Sequence, residues 1–169
     1  MLNHFPRCPH FQWLHDIMSG RARPPEHKVV TALHLPVGRP NPKYIPITLR
    51  EQSRRDSARW VPDLSPVFGP PEPVAIDSIN ITSHADGTPF SHPLQVFFRN
   101  TFLDDSSPLN QCLHNMSQGR VIPYPWAGDI VALKFLGTRR EDYCNIRDED
   151  IPSLVYYFLS NDFRSNGSV

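Results

Sequence analysis

The sequence has few cysteines, no long apolar run and no clustered glycines, and each shortage excludes a class of protein. Cys8, Cys112 and Cys144 are the only cysteines in 169 residues. An odd, scattered set gives no framework for a disulfide-built secreted domain. Nowhere do ~18 apolar residues run together as a membrane span requires, and Met1-Leu-Asn-His-Phe-Pro-Arg-Cys-Pro-His10 lacks the apolar centre of a signal peptide. These absences predict an intracellular protein, cytoplasmic or nuclear, with reduced thiols and no membrane association. The glycosylation-type triplets at Asn80, Asn115 and Asn166 then carry no meaning. The eight glycines never cluster, so no phosphate-cradling loop is encoded. No Gly-x-Ser-x-Gly elbow is present to expose a serine nucleophile.

Proline is abundant instead. There are 19, about twice the usual share of roughly 5%, and each fixes φ and removes a donor, which rules out long uninterrupted helices. Thirteen lie at or before Pro73. The charge is also uneven: residues 1 to 64 carry ten Lys/Arg against five Asp/Glu, and residues 65 to 169 carry seven against twelve. The net charge is zero, but the halves are about +5 and −5 and can neutralise each other, within the chain or across a dimer.

Local patterns predict a single domain over 1–169, with a basic proline-rich arm (1–72), an α+β core (73–161) and a tail (162–169). In the arm, Phe11, Leu14, Ile17 and Met18 recur at helical spacing before Gly20. Lys28 to Leu35 reads as a strand, and Tyr44 to Leu49 as an edge strand because of Pro46. Thr48 and Glu51 have the form of a capping box opening an exposed helix from Arg50 to Trp60. Val61 to Pro73, with five prolines and a glycine, reads as a surface loop or linker. In the core, Val74–Thr82 and His92–Phe102 predict an antiparallel pair, the first bulged between Ile76 and Ile79. Ser107-Pro108 signals a helix start, with Leu109, Cys112, Leu113 and Met116 as its apolar stripe. Gly128 to Gly137 reads as a central strand buried on both faces, and a last helix follows Asp148-Glu-Asp150. The fold class is α+β, a small mixed or antiparallel sheet carrying two or three short helices.

Candidate chemistry is sparse. His4, Cys8, His10 and His15 are possible zinc ligands in a spacing that matches no standard site, with Pro6 and Pro9 hindering the turn that a zinc knuckle provides. No metal or cofactor is therefore assigned. Cys112 and His114, two apart on a helix, point about 200° away from each other and cannot ligate one ion. Ser83-His84-Ala-Asp86 reads as a hairpin turn and Asp104-Asp105 as a turn before a helix cap. Arg50, Arg54, Arg55 and Arg59 beside Trp60 would give a basic helical face for nucleic acid, which Glu51 and Asp56 dilute. Tyr124-Pro-Trp126-Ala-Gly-Asp129 is either an aromatic anchor at an interface or a cap on the core.

The runs Phe97-Phe-Arg-Asn-Thr-Phe102, Ser107-Pro-Leu-Asn-Gln-Cys112, Pro125-Trp-Ala-Gly-Asp-Ile-Val-Ala-Leu-Lys134 and Asp148-Glu-Asp-Ile-Pro152 resemble uncharacterised proteins of mushroom-forming fungi. The resemblance spans about the last 70 residues. It implies an intracellular fungal protein and brings no activity, cofactor or site residue.

Three functional readings follow. The first is a non-enzymatic protein-interaction or structural domain, with a protein partner or a homo-oligomer. The second is a small enzyme or ligand-binding protein whose site assembles from residues distant in sequence, with His84, His92, Asp129 and Lys134 as contributors. The third is a nucleic-acid-associated factor using the Arg50 to Trp60 helix.

Overall fold

A computed structural model describes residues 27–54, 57–70, 76–83, 87–102, 104–135 and 142–160. Strands dominate: β1 His27–Leu35, β2 Lys43–Arg54, β3 Ser57–Pro62, β4 Ile76–Ser83, β5 Pro89–Arg99, β6 Ile130–Phe135 and β7 Tyr143–Cys144. Among the described residues three short helices accompany them, α1 Ser65–Phe68, α2 Gln111–Met116 and α3 Ile151–Ser160, the last entered through a 3₁₀ turn at Asp148–Asp150. The strands form one antiparallel sheet in the order β3-β2-β1-β6-β5-β4. β6 is central and shared, because Ile130 to Ala132 pair with β1 while Lys134 and Phe135 pair with β7.

Period-two alternation sends one set of side chains to each face of this sheet. The outer face carries Leu33, Leu35, Leu94, Val96, Phe98, Ile130 and Ala132, covered by Leu154 and Phe158 of α3 and by Leu113 of α2. The inner face carries Val30, Ala32, Ile47, Leu49, Phe97, Val131 and Leu133, joined by Leu64 and Phe68. Among the described residues the helix on that side is the four-residue α1. The sheet therefore curls so that its inner residues bury one another. Each fully buried large side chain contributes about 1.5–3 kcal/mol, so both faces stabilise the fold.

The antiparallel β4–β5 pair, the central strand and the closing helix match the sequence reading. Several expectations are corrected. Residues 27–62 are not an arm but supply β1, β2 and β3 of the sheet. Arg50 to Trp60 is not a helix: Leu49 pairs with Pro62 and Glu51 with Trp60 across the β2–β3 hairpin. The segment has no apolar stripe to dock a helix, so backbone pairing onto an existing sheet prevails over its local propensity. β2 is not an edge strand, since it lies between β1 and β3. Pro46 is tolerated because it lies beyond the end of β3, whose pairing stops at Leu49↔Pro62. Its partner Thr31 directs its own amide to Asn145 Oδ1 (2.8 Å) and accepts the Ile146 amide (3.0 Å) on the other side. No ladder bond at Pro46 needs the missing N–H.

The Val61–Pro73 stretch is not a linker over its described part, which ends β3 and forms α1. The β4 register runs evenly from Ile76 to Ile81 and shifts only before Ser83. The apparent slip at Ile76 arises because Ile79 and Ile81 pack on the outer face while Ile76 packs inward. The helix expected from Ser107 begins at Gln111, with Asn110 as its cap. Leu109 instead bridges Ala127, and Gly128, at φ 75°, turns the chain from there into β6. Asn110 is buried: its Oδ1 accepts the Leu113 amide (2.8 Å), and its Nδ2 donates to Leu35 O (2.9 Å) and Gly128 O (2.8 Å). One side chain thus caps α2 and ties it to β1 and β6. No helix of the described residues is long and apolar enough to cross a membrane.

Candidate functional site

The curl leaves a cleft of about 380 Å³ on the inner face, bounded by Trp60, Val61 and Pro62 of β3, Asp63 to Ser65, and Ile76 and Ser78 of β4. Gln95, Phe97 and Tyr143 line it from β5 and β7. The walls are mostly apolar, and a chain of neutral polar groups crosses them. Tyr143 OH donates to Gln95 Oε1 at 2.7 Å, and Gln95 Nε2 donates to Ser78 Oγ at 2.9 Å. Gln95 is 7% exposed and Tyr143 4%. The Tyr143 ring stacks on Phe135, with centroids 4.9 Å apart.

Asp63 is the charged member of the lining, and it is engaged. Its Oδ1 accepts the Ser65 hydroxyl (2.5 Å) and amide (3.2 Å), and its Oδ2 pairs with Arg50 Nη2 at 2.6 Å. The Ser65 hydroxyl bond, with smaller help from the Ser65 amide and Arg50, holds its carboxyl below the usual range against the effect of burial.

A second concavity lies on the other side of the molecule. A groove of about 530 Å³ runs between α2 and the Val121 to Trp126 segment, lined by Leu109, Leu113, His114, Ile122 and Tyr124 among others, with no Asp, Glu, Lys or Arg among the described residues. Leu109 is 63% exposed and Val121 85%. Trp126 closes its base as a core residue, edge-to-face with Phe98 and Phe158 and stacked on Phe102. The Tyr124 to Asp129 stretch therefore caps the core.

The residues named from sequence do not converge. His84 and Asp86 lie outside the described residues, as do His4, Cys8, His10 and His15. His92 is an exposed member of β5. Lys134 is 10% exposed on the outer face, with its Nζ 2.8 Å from Asp150 Oδ1, so it fastens the start of α3 to the central strand. Asp129 accepts from His34 Nε2 at 2.9 Å and from the Val37 amide at 3.0 Å. Burial opposes ionisation of Asp129. The His34 hydrogen bond, the Val37 amide and the charges of His34 and Arg99 outweigh it and hold the carboxyl below its ordinary range.

A His–Asp pair is half of a hydrolytic constellation, but among the described residues no hydroxyl or thiol is bonded to His34. Cys112 is fully buried, and burial pushes its thiol up to about 11. His114 points to solvent from the same helix. Asp105 is structural, accepting the Ser107 amide (2.9 Å) and the Thr101 hydroxyl (3.0 Å). Arg50 is committed to Asp63, and the helical basic face expected at Arg50–Trp60 does not form. Among the described residues one ion pair joins the two halves of the chain, Lys28 with Asp142. Among the described residues no three His, Cys, Asp or Glu side chains gather as metal ligands would.

The cleft itself was missed from sequence. Ser78, Gln95 and Tyr143 belong to three strands, and the available signal was Gln95, a polar residue on a strand buried on both faces.

The fold and cleft together define a curled antiparallel sheet with helices on its outer face and a binding-sized concavity on its inner one. Comparison with protein-family models, curated proteins and solved structures finds no match.

Proposed function

We propose that the protein is a non-enzymatic binding domain and that the inner cleft is its ligand site. The observation that supports this is the Ser78–Gln95–Tyr143 chain. A few convergent polar groups in an otherwise apolar concavity is the pattern of small-molecule sites, and 380 Å³ falls within their range of about 300–1,000 Å³. The arrangement of His34 and Cys112 adds no activated nucleophile near the cleft. Native mass spectrometry of the purified chain tests the reading. A bound small molecule that dissociates on denaturation, and that is absent when Ser78→Phe fills the cleft, is expected. A folded chain that carries nothing and binds no small molecule at Ser78 or Gln95 sinks it.

The protein-interaction reading is favoured by a different observation, the exposed Leu109 and Val121 beside the α2 groove. Its occupant in this reading is a second copy of the chain. A lining without Asp, Glu, Lys or Arg meets its own image across a two-fold axis without opposing like charges. Sedimentation velocity is expected to show a dimer that Val121→Asp converts to monomer. A monomer in the unaltered protein removes this reading.

A further inference from the structure

Where Ser78, Gln95 and Tyr143 meet in the lining of the inner cleft, the side-chain oxygens are engaged and two hydrogens are not. A glutamine carboxamide has one acceptor oxygen and two N–H groups. Gln95 Oε1 receives the Tyr143 hydroxyl at 2.7 Å, and one Gln95 N–H goes to Ser78 Oγ at 2.9 Å. A serine oxygen that accepts keeps its own proton, on a hydroxyl that rotates to suit its surroundings. The Ser78 proton and the second Gln95 N–H thus meet no acceptor among the described residues. Gln95 is 7% exposed, so bulk water reaches it poorly, and a desolvated donor is penalised until an acceptor arrives.

From this imbalance we infer that the cleft takes a neutral, largely apolar molecule whose polar group is a hydrogen-bond acceptor with no proton of its own, as in a ketone or an ester. The inference rests on the ligand-binding reading above and names the class of ligand. The carbonyl oxygen accepts from Ser78 Oγ–H, and the apolar body lies among Trp60, Ile76 and Phe97. An alcohol oxygen at the same place brings a proton, and the neighbouring oxygens, Gln95 Oε1 and Ser78 Oγ, already receive one each. Burying that proton unpaired counts against binding. A carboxylate would satisfy the two donors but lose its hydration against Ile76 and Phe97. Among the described residues the lining holds no Lys, Arg or His to pair with it, and Arg50 beyond the lining is matched by Asp63 at 2.6 Å.

Acetophenone is the probe, with 1-phenylethanol as the alcohol of the same skeleton and benzoate as the anion, each titrated to about 10 mM, which saturates a site of Kd near 1 mM. In ¹H–¹⁵N spectra, acetophenone is expected to shift the Ser78 amide, the Gln95 side-chain amide and the Trp60 indole. It is expected to bind about fivefold more tightly than 1-phenylethanol and at least about tenfold more tightly than benzoate. Ser78→Ala is expected to weaken acetophenone by about fivefold. Ser78→Cys keeps the shape of the side chain with a weaker donor, so its affinity is expected to fall between the two, and it carries the same test should Ser78→Ala not fold. An alcohol or a carboxylate that binds at Ser78 and Gln95 as tightly as acetophenone, or folded Ser78 variants that bind acetophenone unchanged, overturns the ligand class and leaves the cleft as a site. No shift at Ser78 or Gln95 with any of the three probes overturns the class and the ligand-binding reading together.

Discussion

The two faces of one sheet have been finished differently. On the outer face the ten-residue α3 lays Leu154 and Phe158 over β5 and β6, and Trp126 gathers Phe98, Phe102, Tyr124 and Phe158 around itself. On the inner face the same strands present an equally apolar set, yet α1 has four residues and brings only Phe68 to full burial. A helix of that length cannot cover six strands. Among the described residues the inner face is closed mainly by curling, and the curl leaves the cleft between β3, β4, β5 and β7.

The sharpest way to break this comparison is to cut matched aromatics on the two sides. Trp126→Ala, inside the sealed face, is expected to lower unfolding free energy by about 3–5 kcal/mol. Trp60→Ala, half-buried on the cleft wall, is expected to cost about 1 kcal/mol, because its site is already open on one side. Urea midpoints measure both, and equal losses would mean that the inner face is as tightly packed as the outer. Next in size is Lys134→Met, which strands Asp150 beside the sheet. A loss of about 2–3 kcal/mol is expected, below that for full burial because the two side chains keep 10% and 14% exposure. Asn110→Ala follows at about 2 kcal/mol, since it removes the α2 cap and leaves the carbonyls of Leu35 and Gly128 without that donor.

How much of this was legible depends on whether the signal is local. β5, β6 and α3 were readable because Leu94, Val96 and Phe98 alternate, Ile130 to Phe135 are continuously apolar, and Leu154, Val155 and Phe158 keep helical spacing. The β2–β3 hairpin was not readable. Arg50 to Arg59 carries helix-compatible polar residues, and only its pairing to β1 through Ile45, Ile47 and Leu49 makes it a strand. The α2 start was misplaced for a related reason. Ser107-Pro108 has the local form of a cap, but Asn110 makes three hydrogen bonds, one of them to Leu35, 75 residues away. The cleft was the least legible feature, since Ser78, Gln95 and Tyr143 meet only once the sheet has curled.

The smallest expected effect concerns the polar end of β1 and β6, where His34 and Asp129 meet. Asp129 is ionised at lower pH in the folded chain than an ordinary aspartate, whose value is near 3.9. Between the lowered value and the ordinary one, the unfolded chain binds more protons than the folded chain, so stability rises with pH in that window. The contribution is complete above the ordinary value and is lost as pH falls through the folded one. Asp129→Asn keeps an oxygen to accept from His34 and from the Val37 amide but removes the ionisation. Its stability is expected to lie below that of the unaltered protein at pH 6 and to approach it at pH 3, a flatter acid limb measurable by urea midpoints at the two values. Parallel limbs would mean that the pair orients His34 without stabilising the fold.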